Sequence, residues 1–365
     1  MNALLVADSP GHILERIART FVDYASGAEH RVVCSQLVSP YFIRRAGERV
    51  GLLHWIDPLA FAAYPNAARA PQVVMIHHLT DPEIEPMQPR LRHADLLTTT
   101  SQRWLRRLSE MTRIPVGLIP YTINPDVFHP LDEVSEMRIE LGVRPSDFVI
   151  GYSGKAAADA FGRKGLDILT AVLEGCAQRW HDDLVVLLIG SGWEGLSRTI
   201  ESWGVRVLWY QPATTEETAG IYPLMDVLIS TSREEGGPCT IMEAMGCGVP
   251  IITTDVGHVP ELIVDGENGF VCAWPNPVLE FIDRIELVRR DRELRVRFSV
   301  NGRRTVIRQR DARVVIPRID FAAIYAEAQR RYAMRPGREV AARSVALSSL
   351  GLRYAVRKAQ SLLAR

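Results

Sequence analysis

A chain of 365 residues with 47% apolar and 24% charged residues has the composition of an ordinary soluble globular protein, long enough for two domains. Lys and Arg together number 43, as do Asp and Glu, so the formal net charge is zero and bulk electrostatic binding of nucleic acid is excluded. The five cysteines, Cys34, Cys176, Cys239, Cys247 and Cys272, form no Cys-x-x-Cys pair, which argues against a disulfide framework or structural zinc and for a reducing, cytoplasmic setting.

The chain opens on an apolar run at residues 3–8, ALLVAD, expected as a strand rather than a leader because no basic segment precedes it. A Ser-Pro-Gly turn follows, then ILERIARTFVDYA, whose apolar residues recur at helical spacing. Further strands are expected at residues 30–35, 50–55, 72–78, 95–100 and 116–123. Between the last two, SQRWLRRLSEM reads as a basic helix with Ser101 as its N-cap. Pro115, Pro120, Pro125 and Pro130 then punctuate the chain, and RPSD at 144–147 opens a second series: FVIGYSG, LVVLLIG, VRVLWY, DVLIST, VPIITTD and NGFVCA. LVVLLIG is far too short to span a bilayer.

These runs are rich in Val, Ile and Leu without alternation, the signature of parallel strands covered on both faces. Two successive strand–helix series predict an α/β chain with two Rossmann-like doubly wound domains, each with a crevice at its strand C-terminal ends. The expected organisation is a first domain over 1–130, a linker over 131–146, a second domain over 147–315, and C-terminal helices over 316–365 packing back on the first domain. The last stretch, from Arg335, holds Arg338, Arg343, Arg353, Arg357, Lys358 and Arg365 against one acid, Glu339, and Val345, Leu352, Val356 and Leu363 can share one helix face. A terminal helix docked on the protein accounts for this pattern. A peripheral membrane-surface helix is the alternative.

The chemistry concentrates in STSREEGGPCTIMEAMGCGVP, residues 230–250. Glu235 lies just past a strand C-terminal end, where ligands bind in such sheets. Gly236 and Gly237 allow close backbone approach, and the helix beginning near Cys239 and Thr240 points its amides at the same place, an anion site suited to phosphate. Glu243 follows Glu235 with seven residues between them. Carboxylates accept hydrogen bonds from hydroxyls, so an anion site bracketed by two acids suits a diphosphate with a sugar on either side: Glu235 on the transferred sugar and Glu243 on the ribose. An exposed acidic loop before a core helix would show the same two acids.

The segment EGGPCTIMEAMGCGVPIITTDVGHVPELIVDGENGFV, residues 235–271, resembles the E-x7-E region of retaining glycosyltransferases of the GT-B fold, family 4, also called glycosyl transferases group 1. The family usually has an aromatic or aliphatic residue between its two glycines, where this chain has Glu-Gly-Gly-Pro. Upstream, GYSGKAAADAFGRKGLDILTAVL is similar to the family's Gly-Arg…Lys-Gly segment, which implies Gly154, Lys155 and Lys164 at the diphosphate, with Arg163 in reserve. Lysine there supplies a point charge without arginine's bidentate fork. LVVLLIGSGWE resembles the strand and loop under the base, implying Gly190 and the backbone near Tyr210. VVMIHHLTD resembles the strand ending in a histidine that faces the donor sugar; His77 aligns best and His78 is next. In ADSPGH only Gly11 remains of a glycine-rich loop on the acceptor side. Trp55, Asp57, Tyr41, Arg44 and Arg45 are weaker acceptor-side candidates.

The resemblance implies a nucleotide-sugar-binding second domain, an acceptor-side first domain and closure over a cleft. It implies a hexosyltransferase that moves a sugar from a nucleotide-diphosphate sugar to a saccharide or lipid-linked acceptor hydroxyl, with retention, in polysaccharide biosynthesis. No Asp-x-Asp occurs, so no metal and no cofactor are expected. A glycoside hydrolase using the two acids would leave the lysines and the phosphate-type helix end without a role. A nucleotide-sugar epimerase needs a G-x-G-x-x-G after the first strand, which ADSPGHILE lacks. A non-catalytic nucleotide-sugar-binding or docking subunit is the remaining alternative.

Overall fold

Among the described residues, twelve strands form two all-parallel sheets of six. The computed structural model describes residues 2–64, 69–156 and 160–335. It divides into two units: Met1–Pro120 with the segment from Ile316 onward, and Tyr121–Val315.

In the first unit, β1 (Asn2–Ala7), β2 (Glu29–Cys34), β3 (Leu53–Trp55), β4 (Gln72–Ile76), β5 (Leu96–Thr99) and β6 (Val116–Leu118) take the order β2-β1-β3-β4-β5-β6. β4 and β5 are buried at every position, as strands covered on both faces must be, whereas the edge strands β2 and β6 are only partly covered. Ser101 caps the helix Gln102–Met111 by accepting from the Trp104 N–H, as expected. Several strands expected in this unit are shorter in the structure, two of them by three residues or more. Val50 closes the helix Pro40–Val50, capped by Ser39 and stopped at Gly51, so β3 begins only at Leu53. β6 ends at Leu118, just before Pro120.

The helix Phe321–Ala333 belongs to this unit. Its fully buried Tyr325 hydroxyl lies 2.8 Å from His30 Nε2 and 3.1 Å from His54 Nδ1, and Phe321 packs on Phe21 and the His30 ring. Burial pushes the His30 imidazole down to about 4 and His54 to about 3, so both are neutral in the folded chain at pH 7. Arg335 is fastened here too, at 3.2 Å from the buried Asp95 carboxylate and bonded to the Arg92 carbonyl. The rest of the basic tail lies outside the described residues.

In the second unit, β7 (Phe148–Ser153), β8 (Leu184–Ile189), β9 (Arg206–Tyr210), β10 (Val227–Ser230), β11 (Ile251–Thr254) and β12 (Phe270–Cys272) take the order β12-β11-β10-β7-β8-β9. Its core joins these strands to the helices Leu166–Trp180, Val278–Arg290 and Arg292–Arg310, with Trp193, Phe281 and Phe298 fully buried. Residues 131–146, expected as a linker, cluster with this unit. The helix Val134–Glu140 supplies Arg138, which reaches Asp226 at 3.0 Å and the Asp147 carbonyl at 2.9 Å.

Candidate active site

Strand order locates the crevice. In the second unit the chain starts at β7, winds outward through β8 and β9, then returns to the other side of β7 with β10. The connections above the C-terminal ends of β7 and β10 therefore diverge, and this switch point is where doubly wound sheets bind ligands. β7 leads directly into Gly154 and Lys155, and β10 leads through Thr231 and Ser232 to Glu235. The two stretches singled out in the sequence thus arrive at neighbouring strand ends.

The loop before the helix Leu166–Trp180 is tied to the loop after β10. The Thr231 hydroxyl donates to the Lys164 and Gly165 carbonyls at 3.1 and 3.0 Å, and the Arg233 N–H donates to the Arg163 carbonyl at 2.7 Å. These ties bring Arg163 and Lys164 onto Glu235: the Lys164 ammonium pairs with its Oε1, Arg163 Nη1 lies 3.0 Å away, and Ser232 Oγ 3.3 Å. Glu235 is 7% exposed, and the Arg163 and Lys164 side chains are 25% and 23% exposed. The sequence assigned the acid to a sugar and the bases to a diphosphate. In the structure they also hold one another.

Behind this cluster, the helix Cys239–Gly246 follows Pro238 and is buried from Ile241 to Gly246. Glu243 is the charged residue in that run. A buried carboxylate needs hydrogen-bond donors, and the buried Tyr222 hydroxyl supplies one at 2.8 Å while lying 3.1 Å from Ser153 Oγ. Burial and the Glu243 charge hold the Tyr222 phenol far above its ordinary range. Cys239 and Thr240, in the first turn, are half-buried.

Gly237 has a packing reason of its own as well. A Cβ on it would stand 2.2 Å from His258 Nδ1. The His258 ring is fully buried, lies edge-on to Tyr121 at 6.4 Å, and neither of its nitrogens meets hydrogen-bond geometry. Burial and the Arg310 charge push it down to about 3. The glycine therefore makes room for an imidazole beneath the turn that carries Glu235. The His258 loop is itself anchored, since Glu261 pairs with Arg310 at 2.8 Å. Sequence reasoning missed both Tyr222 and His258.

The loops after β7 and β8 lean on each other. Gly154 N–H donates to the Ile189 carbonyl, Ala156 N–H to Ser191, and Gly190 N–H to the Tyr210 carbonyl, each at 2.9 Å. Gly190 adopts φ 116°, and a Cβ there would strike the Gly154 carbonyl oxygen at 2.1 Å, so only glycine fits. Gly154, Gly190 and Tyr210 are thereby assembled at three adjacent strand ends. Lys155 is exposed on that loop and Tyr210 is half-buried.

In the first unit the order places the switch point between β1 and β3. β1 leads into Asp8, whose carboxylate pairs with the His12 imidazole; burial opposes ionisation, but His12 lowers the Asp8 carboxyl below its usual range. β3 leads to the buried Asp57, which caps the helix Pro58–Ala63 through the Leu59 N–H. His77 follows β4. It is 7% exposed, and its Nε2 lies 2.7 Å from the Ile56 carbonyl. That contact makes Nε2 the protonated nitrogen and Nδ1 the acceptor. Burial pushes this imidazole down to about 4, against the Ile56 hydrogen bond, so it is neutral. His78 is half-buried, and Gly11 is exposed, its N–H donating to Glu15 at 3.3 Å. Of the weaker acceptor-side candidates, Trp55 is fully buried with its indole donating to Gln72, Tyr41 is exposed, and Arg44 and Arg45 pair with Glu48. The Asp8–His12 pair was missed, although its i, i+4 spacing in DSPGH is a signal.

Among the described residues no group of three or more His, Cys, Asp or Glu side chains converges as a metal site, and no helix is long and apolar enough to cross a membrane. All five cysteines are free thiols.

Residues 135–305 match the model of the family described as Glycosyl transferases group 1. Over 219 residues the chain is 26% identical to the D-inositol 3-phosphate glycosyltransferase of Corynebacterium jeikeium, covering 56% of this chain and 51% of that protein. Over 239 residues it is 23% identical to the alpha-galactosylglucosyldiacylglycerol synthase of Streptococcus pneumoniae, covering 62% and 60%. The chain thus spans about half the length of the curated relatives it matches. Its fold is similar to that of Anabaena HepE, crystallised with UDP and glucose, with a TM-score of 0.71, 18% identity, and coverage of 87% of this chain and 97% of that one.

Proposed function

We propose that this chain, whose residues 135–305 match the model of glycosyl transferases group 1 and whose fold is the GT-B fold of HepE, transfers a sugar from a nucleotide-diphosphate sugar to an acceptor hydroxyl. One observation carries the reading: at the β7/β10 switch point, Arg163 and Lys164 converge on Glu235 in front of the helix that begins at Cys239. The reaction must stabilise a diphosphate as it leaves. Lys155, Lys164, Arg163 and the helix N-terminal amides offer fixed positive charge for that purpose. Glu235 accepts hydrogen bonds from the transferred sugar and Glu243 from the ribose. Gly154, Gly190, Tyr210, Gly236, Gly237, Cys239 and Thr240 shape the donor site, and the neutral His77 acts as an acceptor toward sugar hydroxyls.

UDP-sugars are the donors of first choice, because the similar HepE was crystallised with UDP and glucose. The relatives' names, an inositol phosphate glycosyltransferase and a glycosyldiacylglycerol synthase, support a polyol or lipid-linked acceptor. The proposed course is retaining and metal-independent: the acceptor attacks on the face from which the diphosphate departs, and the leaving phosphate takes the acceptor proton. No protein base is then required.

The test is incubation with UDP-glucose, UDP-N-acetylglucosamine or GDP-mannose and an acceptor, inositol phosphate or diacylglycerol, with and without EDTA, following nucleoside diphosphate release and product anomeric configuration. Release that survives EDTA, with an α-linked product from an α-linked donor, is the expected result. Nucleotide binding without any release would identify a docking subunit instead, and loss restored by Mg²⁺ would refute metal independence.

A further inference from the structure

A concavity lies in the second unit, apart from the donor residues. It is a groove of about 720 Å³ where the segment after β12 faces the first turns of the helix Leu166–Trp180, lined by Asp167, Ala171, Arg233, Trp274, Asn276 and Val278 among others. Neither Glu235, Lys155 nor Lys164 lines it. Its size falls in the range of small-molecule sites, which combine apolar walls with a few placed polar groups.

The polar groups are already fixed. Arg233 and Asp167 form a two-pronged pair at 2.7 and 2.6 Å, Arg233 Nη1 also donates to the Gly162 carbonyl at 3.0 Å, and the guanidinium lies 5.9 Å from the Trp274 ring centre. Little side-chain freedom remains to be lost on binding. Trp274 is 38% exposed, a large planar apolar surface left facing solvent. With Asp167 engaged by both terminal nitrogens of Arg233, the carboxylate's outward lone pairs and the second Nη2 hydrogen are the acceptor and donor for the paired hydroxyls of a pyranose. The C–H face of such a ring covers an indole. Because Arg233 is already neutralised by Asp167, the groove does not favour a phosphate, and its polar edge does not suit a wholly apolar ligand.

We propose that this groove is a saccharide-binding subsite for a pyranose unit of the acceptor or product chain, distinct from the sugar being transferred. Its position supports that occupant. Arg233 hands its backbone N–H to Arg163, which in turn meets Glu235, so the groove wall and the donor-sugar carboxylate share one loop. Saccharide binding stands independently of transfer; only the occupant's origin in the acceptor chain rests on the glycosyl-transfer reading.

The experiment is a titration of protein carrying ¹⁵N-labelled tryptophan with maltose, cellobiose and N,N′-diacetylchitobiose, each with and without saturating UDP, following the indole signal assigned by Trp274→Phe. The expected result is a saturable shift of the Trp274 indole by at least one disaccharide, with a Kd of about 1–10 mM, unchanged by UDP. Trp274→Ala, monitored on the remaining indoles and by calorimetry, abolishes binding, and Arg233→Lys weakens it at least about tenfold. No indole shift with any of the three, a shift abolished by UDP, or undiminished binding in folded Trp274→Ala overturns the proposal. Saccharide binding in a protein that fails to bind UDP would count against the donor-site reading and leave the groove standing.

Discussion

Glu235→Gln separates the two functions that meet at one carboxylate. In the wild type, Glu235 holds Lys164 and Arg163, the cations proposed for the diphosphate. The amide keeps the size and loses the charge. Two half-buried cations then face a neutral group, costing about 1–3 kcal/mol of stability. A diphosphate arriving in the variant no longer competes with the carboxylate for those cations. With an effective dielectric near 20, removing one like charge several ångströms from the diphosphate is worth roughly 1–2 kcal/mol, or about 5- to 30-fold tighter nucleotide binding. Transfer moves the other way. A hydrogen bond to a charged acceptor contributes about 1.5–3 kcal/mol, so kcat/KM falls about 10- to 150-fold. The assay is calorimetric titration with UDP beside steady-state turnover of UDP-glucose, on variant protein shown to be folded by its thermal melt. Tighter UDP with slower transfer is the expected pair of results. Weaker UDP binding with unchanged turnover would refute the reasoning, because the carboxylate would then neither compete with phosphate nor touch the sugar.

Gly237→Ala drives a Cβ into the His258 ring and should lower stability by about 1–3 kcal/mol while slowing transfer; adding His258→Ala should restore part of both, and a double-mutant cycle with no coupling would contradict the contact. Tyr222→Phe removes a donor from buried Glu243 and is expected to cost about 1–3 kcal/mol, read as a lower melting temperature, with UDP affinity reduced as well. Acid should destabilise the chain. His30 and His77, at about 4, and His54 and His258, at about 3, stay neutral in the fold while the unfolded chain takes up protons below its ordinary value of 6.5. Stability is therefore highest above pH 6.5 and falls with pH until about 4 for His30 and His77 and about 3 for His54 and His258, at up to about 1.4 kcal/mol per unit for each histidine. Melts at pH 7.5 and 5.5 check this, and a His54→Asn variant should show a shallower decline than the parent.

The sheets were legible because parallel strands buried on both faces write themselves as unbroken Val, Ile and Leu runs; β8, LVVLLI, is buried at all positions. Overshoot came where apolar residues serve a helix instead, as at Val50, whose membership is settled by the Gly51 stop rather than by hydrophobicity. Glu235 could be named from its place just past a strand end, and Lys164 from the resemblance of its segment to the family's Lys-Gly motif. Tyr222 and His258 could not. Each meets its partner only after separate strands have paired, and nothing in their spacing distinguishes them from ordinary core residues. Trp55 shows the converse: a tryptophan at a strand end looks available for a ligand, but here its indole is turned inward onto Gln72.

The account rests on Lys155 and Lys164 facing a nucleoside diphosphate at the β7/β10 switch point. The most direct test is calorimetric titration of UDP into the wild-type chain and into the Lys155→Ala/Lys164→Ala double variant. One site per chain in the wild type, weakened at least about tenfold by the double substitution, is predicted. No binding by the wild type, or an affinity indifferent to both lysines, would contradict it.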